Sequence, residues 1–177
     1  MNKIISLFAV FCIAIALLGC GGGGGGGSPV APVVTDDLTL ATDYPDIKAN
    51  YTSLQTAMEN NNLSAVTRTA SFTANISDSF KDLSGAGSKQ ELYDMTKSRF
   101  ERYYIISYQF RPIGHTGNSN TVTVSTYMYI KVAKIETPSQ VYLETSMTKD
   151  VTWVKNSTTN KWEVTKGIPY KSSEVDF

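Results

Sequence analysis

The chain has 177 residues, of which 41% are hydrophobic and 18% charged, and its 16 basic residues balance its 16 acidic ones. This length allows one domain with one hydrophobic core once an N-terminal leader is set aside, and not two. Loss of Lys3 with that leader would leave 15 basic residues against 16 acidic ones. A net charge near −1 argues against nucleic acid or a polybasic lipid surface as the partner.

The first residues have the features of an export signal. Lys3 is followed by an apolar stretch from Ile4 to Leu18, which is too short for a transmembrane helix. Leu17-Leu18-Gly19-Cys20 resembles the lipobox of bacterial lipoprotein precursors, in which a small residue precedes an obligatory Cys. The resemblance implies that residues 1–19 are removed and that Cys20 becomes lipidated. The alternative is an ordinary secretory signal that happens to end in Cys.

Lipidation of Cys20 would fix the protein to a membrane of the cell envelope. Each buried acyl methylene contributes about 0.8 kcal/mol, so two or three long chains anchor a protein almost permanently. Gly21 and Gly22, with no Asp beside Cys20, resemble outer-membrane sorting in a cell with two membranes. Cys12 is lost with the leader, so the mature domain has no thiol for a disulfide, a zinc–thiolate site or an iron–sulfur cluster. We expect no metal and no cofactor.

An unbroken glycine run from Gly21 to Gly27 follows the modified cysteine. Glycine loses more backbone entropy on ordering than other residues and has no side chain to bury. The run also lacks the Lys-Ser/Thr that completes a phosphate-binding loop. We therefore expect a flexible tether over residues 20–43 and a single domain over residues 44–177.

Three helices are predicted in the first half of this domain. The first begins at Pro45 with Asp43 as its N-cap, and a second, shorter one runs from Leu63 to about Ala70. Ser88 and Glu91 form a capping box that opens the third. The residues predicted to face inward are Ile47, Tyr51, Leu54 and Met58 in the first helix, Leu92, Met95, Phe100 and Tyr103 in the third, and Phe72, Ile76 and Phe80 in an irregular segment between.

Beyond these helices the apolar period changes from 3.6 to 2, which predicts a meander of about four antiparallel strands. A turn-rich hairpin loop is predicted over 114–120, and a bulge near Lys149-Asp150 in the long strand over 141–155. Helices separated from strands along the sequence indicate an α+β fold. Alternation places four residues on one face of the first strand: Tyr104, Ile106, Tyr108 and Phe110. One face of the second strand is formed by Val122, Val124, Met128, Ile130 and Val132. Tyr127 and Tyr129 lie on the other face of that second strand.

This order of elements resembles the NTF2-like superfamily, also called SnoaL-like or cystatin-like. The resemblance is carried by Leu63-Ser64-Ala65-Val66 before a Phe-rich segment, and by Val151-Thr152-Trp153-Val154-Lys155, a polar turn and Lys161-Trp162-Glu163-Val164. It covers roughly residues 44–166 and implies three helices packed on a curved antiparallel sheet of about four strands. It also implies a pocket inside this cone. Function is left open, because the superfamily includes enzymes, binding proteins and accessory domains.

The superfamily's enzymes imply an acidic general base in the pocket, often with an acid or His partner. The one histidine, His115, lies in the predicted hairpin loop, where we expect it to be solvated and not catalytic. Glu144 and Asp150 can share a strand face, but cross-strand pairing with lysines is the simpler interpretation. Glu163 is expected to face water. One His and no Cys leave no suitable cluster for a transition metal.

Tyrosine is enriched on the predicted strands, and its apolar ring with a polar tip suits either a pocket wall or an adhesive surface. Tyr127 and Tyr129 are expected on the more exposed face, where a protein partner would bind. Three functions remain open: a non-catalytic module that binds an envelope protein or a small apolar ligand, an enzyme of isomerase or dehydratase type, and a purely structural envelope protein. The provisional pocket wall is Tyr104, Tyr108, Phe110, Met128 and Trp153.

Overall fold

The computed structural model describes residues 34–81 and 87–168. The predicted signal peptide, Cys20 and the glycine run lie outside the described residues, and the described residues belong to one compact unit. None of the described helices is long and apolar enough to cross a membrane. In chain order the elements are α1 (Leu40–Asp43), α2 (Pro45–Glu59), α3 (Ala65–Thr73), β1 (Ile76–Lys81), α4 (Lys89–Arg102), β2 (Tyr103–Gly117), β3 (Thr121–Lys134), β4 (Val141–Lys155) and β5 (Trp162–Lys166).

The strands form a curved mixed sheet in the order β1-β5-β4-β3-β2. β2 to β5 are an antiparallel meander, as the sequence predicted, and the α+β class is confirmed. The described residues form five strands where about four were predicted, because Ile76–Lys81 is a strand parallel to β5 and not an irregular segment. Ile76 and Phe80 are four residues apart, a spacing that puts two side chains on one face of a helix or of a strand alike.

Side-chain caps open two of the helices. Ser88 Oγ accepts a hydrogen bond from the Glu91 amide at 3.2 Å, which confirms the predicted start of α4. Ser64 accepts one from the Thr67 amide at 3.2 Å in the same way and opens α3. The predicted N-cap of α2 is wrong: Asp43 ends α1, and Tyr44 occupies the cap position without a side-chain hydrogen bond.

A bulge in β2 overturns the simple alternation predicted for this strand. The register against β3 shifts between Ile105 and Ser107, so Ile106 is the extra residue. Tyr103 and Ile105 face the core before the bulge, whereas Tyr108 and Phe110 face it afterwards. Tyr104 and Ile106, predicted to share their face with Tyr108 and Phe110, are exposed.

Two further details of the meander differ from the prediction. The predicted bulge at Lys149-Asp150 is absent from the β3–β4 pairing, which continues in register through both residues. β4 is irregular at two other places, at Tyr142 against β3 and between Thr152 and Trp153 against β5. The hairpin loop is shorter than predicted, because β2 continues to Gly117. A Cβ at Gly117 would lie 2.4 Å from the Thr121 carbonyl oxygen, so the tight turn requires glycine.

The concave side of the sheet is filled by aromatic rings around Tyr51 of α2. This ring stacks on Phe110 at 4.8 Å and tilts against Trp153 at 5.5 Å between centroids. Its hydroxyl lies 2.5 Å from Thr126 Oγ1, and Thr126 in turn donates to the Val124 carbonyl at 3.0 Å. α2 is thereby fixed across the middle of β2, β3 and β4.

We predict that Tyr51→Phe lowers the free energy of unfolding by about 1 kcal/mol, because one buried hydrogen bond is lost while Thr126 keeps its bond to Val124. Tyr51→Ala should cost about 3–5 kcal/mol through the cavity it leaves. Urea denaturation measures both. The matched control is Tyr104→Phe at an exposed ring, which should have no measurable effect; equal losses at the two positions would contradict this packing.

Candidate functional site

The space between the sheet and the helices, where the cone pocket was predicted, is a cavity of only about 50 Å³. A dry cavity of about 150 Å³ is needed to admit benzene, and ligand pockets usually measure about 300–1,000 Å³. The cavity therefore has room for water but not for a ring-sized ligand. Its lining is Met58, Phe72, Leu92, Thr96, Arg99, Phe100, Ile105, Tyr108, Met128, Tyr129, Ile130, Thr145, Ser146, Met147 and Ile168.

The provisional pocket wall is only partly assembled around this cavity. Tyr108 and Met128 line it. Phe110 and Trp153 are buried in the aromatic packing around Tyr51 and do not line the cavity. Tyr104 lies outside the core, because the bulge in β2 reverses its direction.

The exposed tyrosine surface predicted on β3 is not present in that form. Tyr127 is only 4% exposed, and it is paired in register with Arg111 on one side and Thr148 on the other. Tyr129 is half-buried, and its hydroxyl donates to Glu144 at 2.7 Å. Alternation places both rings away from the Val/Met/Ile face, as predicted, but alternation alone does not reveal how deeply neighbouring side chains cover them.

The carboxylates on the strands form polar pairs. Glu144 contacts Lys131 at 3.0 Å, which agrees with the cross-strand interpretation. The hydrogen bonds from Tyr129 and Lys131 lower the pKa of Glu144, while burial and the bond to Glu144 raise the pKa of Tyr129 to about 12. Asp150 is exposed, and Glu163 is half-buried and accepts from Asn156 at 2.8 Å. Among the described lining residues of the cavity there is no Asp or Glu.

His115 is not a solvated loop residue, contrary to the prediction. It lies on β2, and only 11% of its side chain is exposed. Its Nδ1 is 2.5 Å from Asp37 Oδ2 and its Nε2 is 3.2 Å from Asp43 Oδ2, while Tyr44 packs edge-on at 5.3 Å. A doubly protonated ring donates to both carboxylates, whereas a neutral ring donates to one.

His115, Asp37, Asp43 and Tyr44 form what we call the His115 cluster. This cluster holds the segment before α2 against the sheet. The Asp37 amide donates to the Pro112 carbonyl at 2.8 Å, and Arg111 Nε donates to Asp36 at 2.7 Å. Leu40 of α1 is fully buried. Residues 34–43, which the predicted tether includes, thus contact the domain in the described part of the chain.

An open groove of about 530 Å³ runs between α2 and β2 and is larger than the cone cavity. β2 is the last strand on this side of the sheet, and its outward amides meet side-chain oxygens of α2 and not another strand. The Tyr108 amide donates to Glu59 at 3.2 Å and the Phe110 amide donates to Gln55 at 3.4 Å. The other charged groups of the groove are Asp36, Lys48 and Arg111.

The same edge is closed more firmly at the start of β2. Asn61 makes two bonds to Ile105: its side-chain oxygen accepts from the Ile105 amide at 3.1 Å and its nitrogen donates to the Ile105 carbonyl at 2.7 Å. The Asn61 side chain thus occupies both backbone hydrogen-bonding groups of Ile105, as a neighbouring strand would. Unpaired edges invite pairing with other chains, so the edge of β2 is covered at Asn61 and only lightly capped along the groove.

No protein-family model matches the chain, and no curated protein matches it. Several solved structures do match. An NTF2-like protein from Cytophaga hutchinsonii ATCC 33406 is 19% identical with a TM-score of 0.52, over 71% of this chain and 94% of that one. An NTF2-like superfamily protein from Salmonella enterica serovar Typhimurium LT2 is 9% identical with a TM-score of 0.53, over 72% of this chain and 89% of that one.

The domain has the NTF2-like fold. A structure from Bdellovibrio bacteriovorus also matches, with 13% identity and a TM-score of 0.50 over 70% of this chain, which spans 40% of that protein. Identities this low are informative about the fold alone. Among the residues that the structure describes, the sheet of this fold has five strands, and β1 lies at its edge beside β5.

Two buried arginines of the NTF2-like domain were not among the predicted site residues. Arg99 of α4 lines the cavity and is 6% exposed, and Arg68 of α3 lies 3.9 Å over the Phe100 ring. Arg68 also donates to the Met58 carbonyl. The sequence could have predicted the position of Arg99, because Arg99 lies seven residues after the inward Leu92 and therefore on the same face of the helix.

Within the described part of the chain, no group of three or more His, Cys, Asp or Glu could hold a metal ion.

The Asp37 contact with His115 predicts a pH dependence of stability. Burial alone would raise the pKa of Asp37, but hydrogen bonds from His115 and Thr39 lower it below its ordinary value of 3.8. A carboxyl group whose pKa is lowered by folding stabilises the folded state at any pH above its ordinary pKa. This stabilisation is lost as the pH falls through the pKa that the group has in the folded protein. Asp37→Asn should therefore cost about 1 kcal/mol near neutral pH, and this difference should shrink at lower pH.

Urea unfolding of the wild type and of Asp37→Asn, at neutral pH and at a series of lower pH values, measures this difference in the free energy of unfolding. Asp150→Asn is the matched control, because Asp150 is exposed. A deficit for Asp37→Asn that stays constant into acid would show that the Asp37 charge contributes nothing to the contact.

Proposed function

We propose that the chain is a lipid-anchored protein of the bacterial cell envelope, whose NTF2-like domain binds another molecule without catalysing a reaction. The anchor is supported by the lipobox-like sequence that ends at Cys20 and by the glycine run behind it. Gly21 and Gly22 favour the outer membrane if the cell has two. The domain would stay close to the membrane, because the chain from Cys20 to Val34 extends over at most about 50 Å.

The filled cone supports a binding role over an enzymatic one. General acid–base chemistry in an NTF2-like pocket needs a substrate-sized space and a carboxylate with a tuned pKa. The cavity measures about 50 Å³, and its described lining holds no Asp or Glu. The same small volume argues against a small apolar ligand inside the cone, so binding is expected at the surface.

The groove beside β2 is the binding site that we propose, and an extended segment of an envelope protein is the partner. The amides of Tyr108 and Phe110 lie two residues apart, the spacing with which a strand edge pairs with an added strand. Their present acceptors, Glu59 and Gln55, are flexible side chains at 3.2 and 3.4 Å that a peptide carbonyl can replace. These two lightly capped amides in an open groove carry the proposal.

The anchor is tested by Cys20→Ser. Mass spectrometry of the native protein should show an N-terminal Cys20 carrying a diacylglycerol thioether, and the wild type should fractionate with membranes. Cys20→Ser should lose the lipid and fail to be processed before residue 20. A native N-terminus upstream of Cys20, or well beyond it, contradicts the anchor.

The groove is tested by photo-crosslinking in intact cells. A photoreactive residue is placed at Thr52 of α2 or Gln109 of β2, which both line the groove, and at Thr158 in the exposed β4–β5 turn as the matched control. We expect the same protein adduct from Thr52 and Gln109 and none from Thr158. Absence of adducts at both groove positions, or identical adducts at all three, contradicts a partner in the groove.

A further inference from the structure

The exposed apolar side chains of the described residues are concentrated at one end of the domain. Eight large hydrophobic side chains are exposed in this part of the chain, and five of them lie where β2 begins and where β3 turns into β4. Five form what we call the apolar tip, each between 41% and 51% exposed. The apolar tip consists of Tyr104, Ile106, Ile135, Val141 and Tyr142.

Strand pairing brings these residues together. Tyr104 is paired with Ala133, and Ala133 is paired with Val141, which makes one row across three strands. The Ile135 amide donates to the Arg102 carbonyl at 3.1 Å, and Tyr142 stacks on Tyr103 at 5.3 Å. The Asn61–Ile105 bonds bring the turn before α3, with exposed Leu63, to the start of β2, and exposed Val66 follows in the first turn of α3.

Two cations flank the apolar tip, one over its Tyr142 ring and one over the neighbouring buried ring of Tyr103. Lys134 Nζ lies 4.8 Å over the Tyr142 ring, and the Arg102 guanidinium lies 5.4 Å over Tyr103. The neighbouring carboxylate of Glu101 is paired with Lys97 at 2.7 Å, and Glu136 follows in the turn. Tyrosines, aliphatic side chains and nearby Lys or Arg are the combination that proteins place at the boundary between lipid headgroups and acyl chains.

We propose that the apolar tip inserts into the headgroup region of the bilayer that holds the lipidated Cys20, with Lys134 and Arg102 contacting anionic headgroups. This inference rests on the proposed anchor. Val34 is bonded to Arg111, and the strand length from there to Tyr104 is only about 23 Å, well within the reach of the chain from Cys20. Anchor and apolar tip can therefore engage one surface together, which would fix the domain's orientation and leave the β4–β5 turn pointing away from it.

The test uses the mature lipidated protein in vesicles of equal parts phosphatidylcholine and phosphatidylglycerol. Tyr142→Cys carries an environment-sensitive fluorophore, and Thr158→Cys in the β4–β5 turn is the matched position. Only one thiol reacts in each variant, because Cys12 is removed and the sulfur of Cys20 is in a thioether. We expect a blue shift at Tyr142→Cys on transfer into vesicles, quenching there by a nitroxide lipid, and neither at Thr158→Cys.

A second pair of variants tests the contribution of the apolar side chains. Adding Ile135→Ser and Val141→Ser to the labelled Tyr142→Cys protein should abolish the blue shift, whereas adding Leu38→Ser, which also removes an exposed aliphatic side chain, should leave it unchanged. Near-ultraviolet circular dichroism confirms that each variant stays folded.

The outcomes separate the apolar tip from the anchor. A protein that floats with the vesicles but shows no shift at Tyr142→Cys overturns the tip proposal and leaves the anchor standing. A protein that does not float and labels at two thiols overturns the anchor, and the apolar tip with it. Self-quenching of the label that rises with protein density, without quenching by the nitroxide lipid, means that a second copy covers the tip and also overturns the proposal.

Discussion

The packing of Tyr51 against the sheet is the interaction on which the rest of the structure depends. One ring of α2 contacts Phe110 of β2 and Trp153 of β4, and its hydroxyl reaches Thr126 of β3. Three strands are thus bound to one helix position. Because this aromatic packing occupies the concave side of the sheet, only a cavity of about 50 Å³ remains beside it.

Because side chains fill the cone, we place the proposed binding at the surface of the domain. The polar groups that a buried pocket would need are used elsewhere: Glu144 in a pair with Lys131, and His115 between Asp37 and Asp43. The His115 cluster also fastens the residues immediately before α2 to β2. A small cavity, a lightly capped strand edge and an apolar tip all support the surface binding that we propose.

Much of this fold is readable from the sequence, since the apolar period changes from 3.6 to 2 at the junction of α4 and β2. The start of α4 at Ser88 and the core face of β3 follow from local rules alone. β1 does not, because its pairing with β5 joins segments that are distant in the chain and its apolar spacing also fits a helix. The bulge at Ile106 is equally hidden, and it moved Tyr104 from the predicted wall to the surface.

The candidate site was less predictable than the fold, for related reasons. Asp37 and Asp43 precede the predicted domain, so nothing in their spacing to His115 shows that tertiary structure brings them together. The caps on β2 come from Gln55 and Glu59, polar residues that a helical pattern assigns simply to a solvated face. Burial of Tyr127 depends on cross-strand neighbours that alternation does not describe.

We infer that the protein's own side chains fill the cone and that binding takes place outside it. A crystal structure of the mature protein purified from its native host tests this most directly. We predict that the space bounded by Phe72, Arg99 and Met147 holds nothing larger than ordered water. Continuous density there for an organic molecule, with the surrounding side chains moved apart to admit it, would contradict the claim.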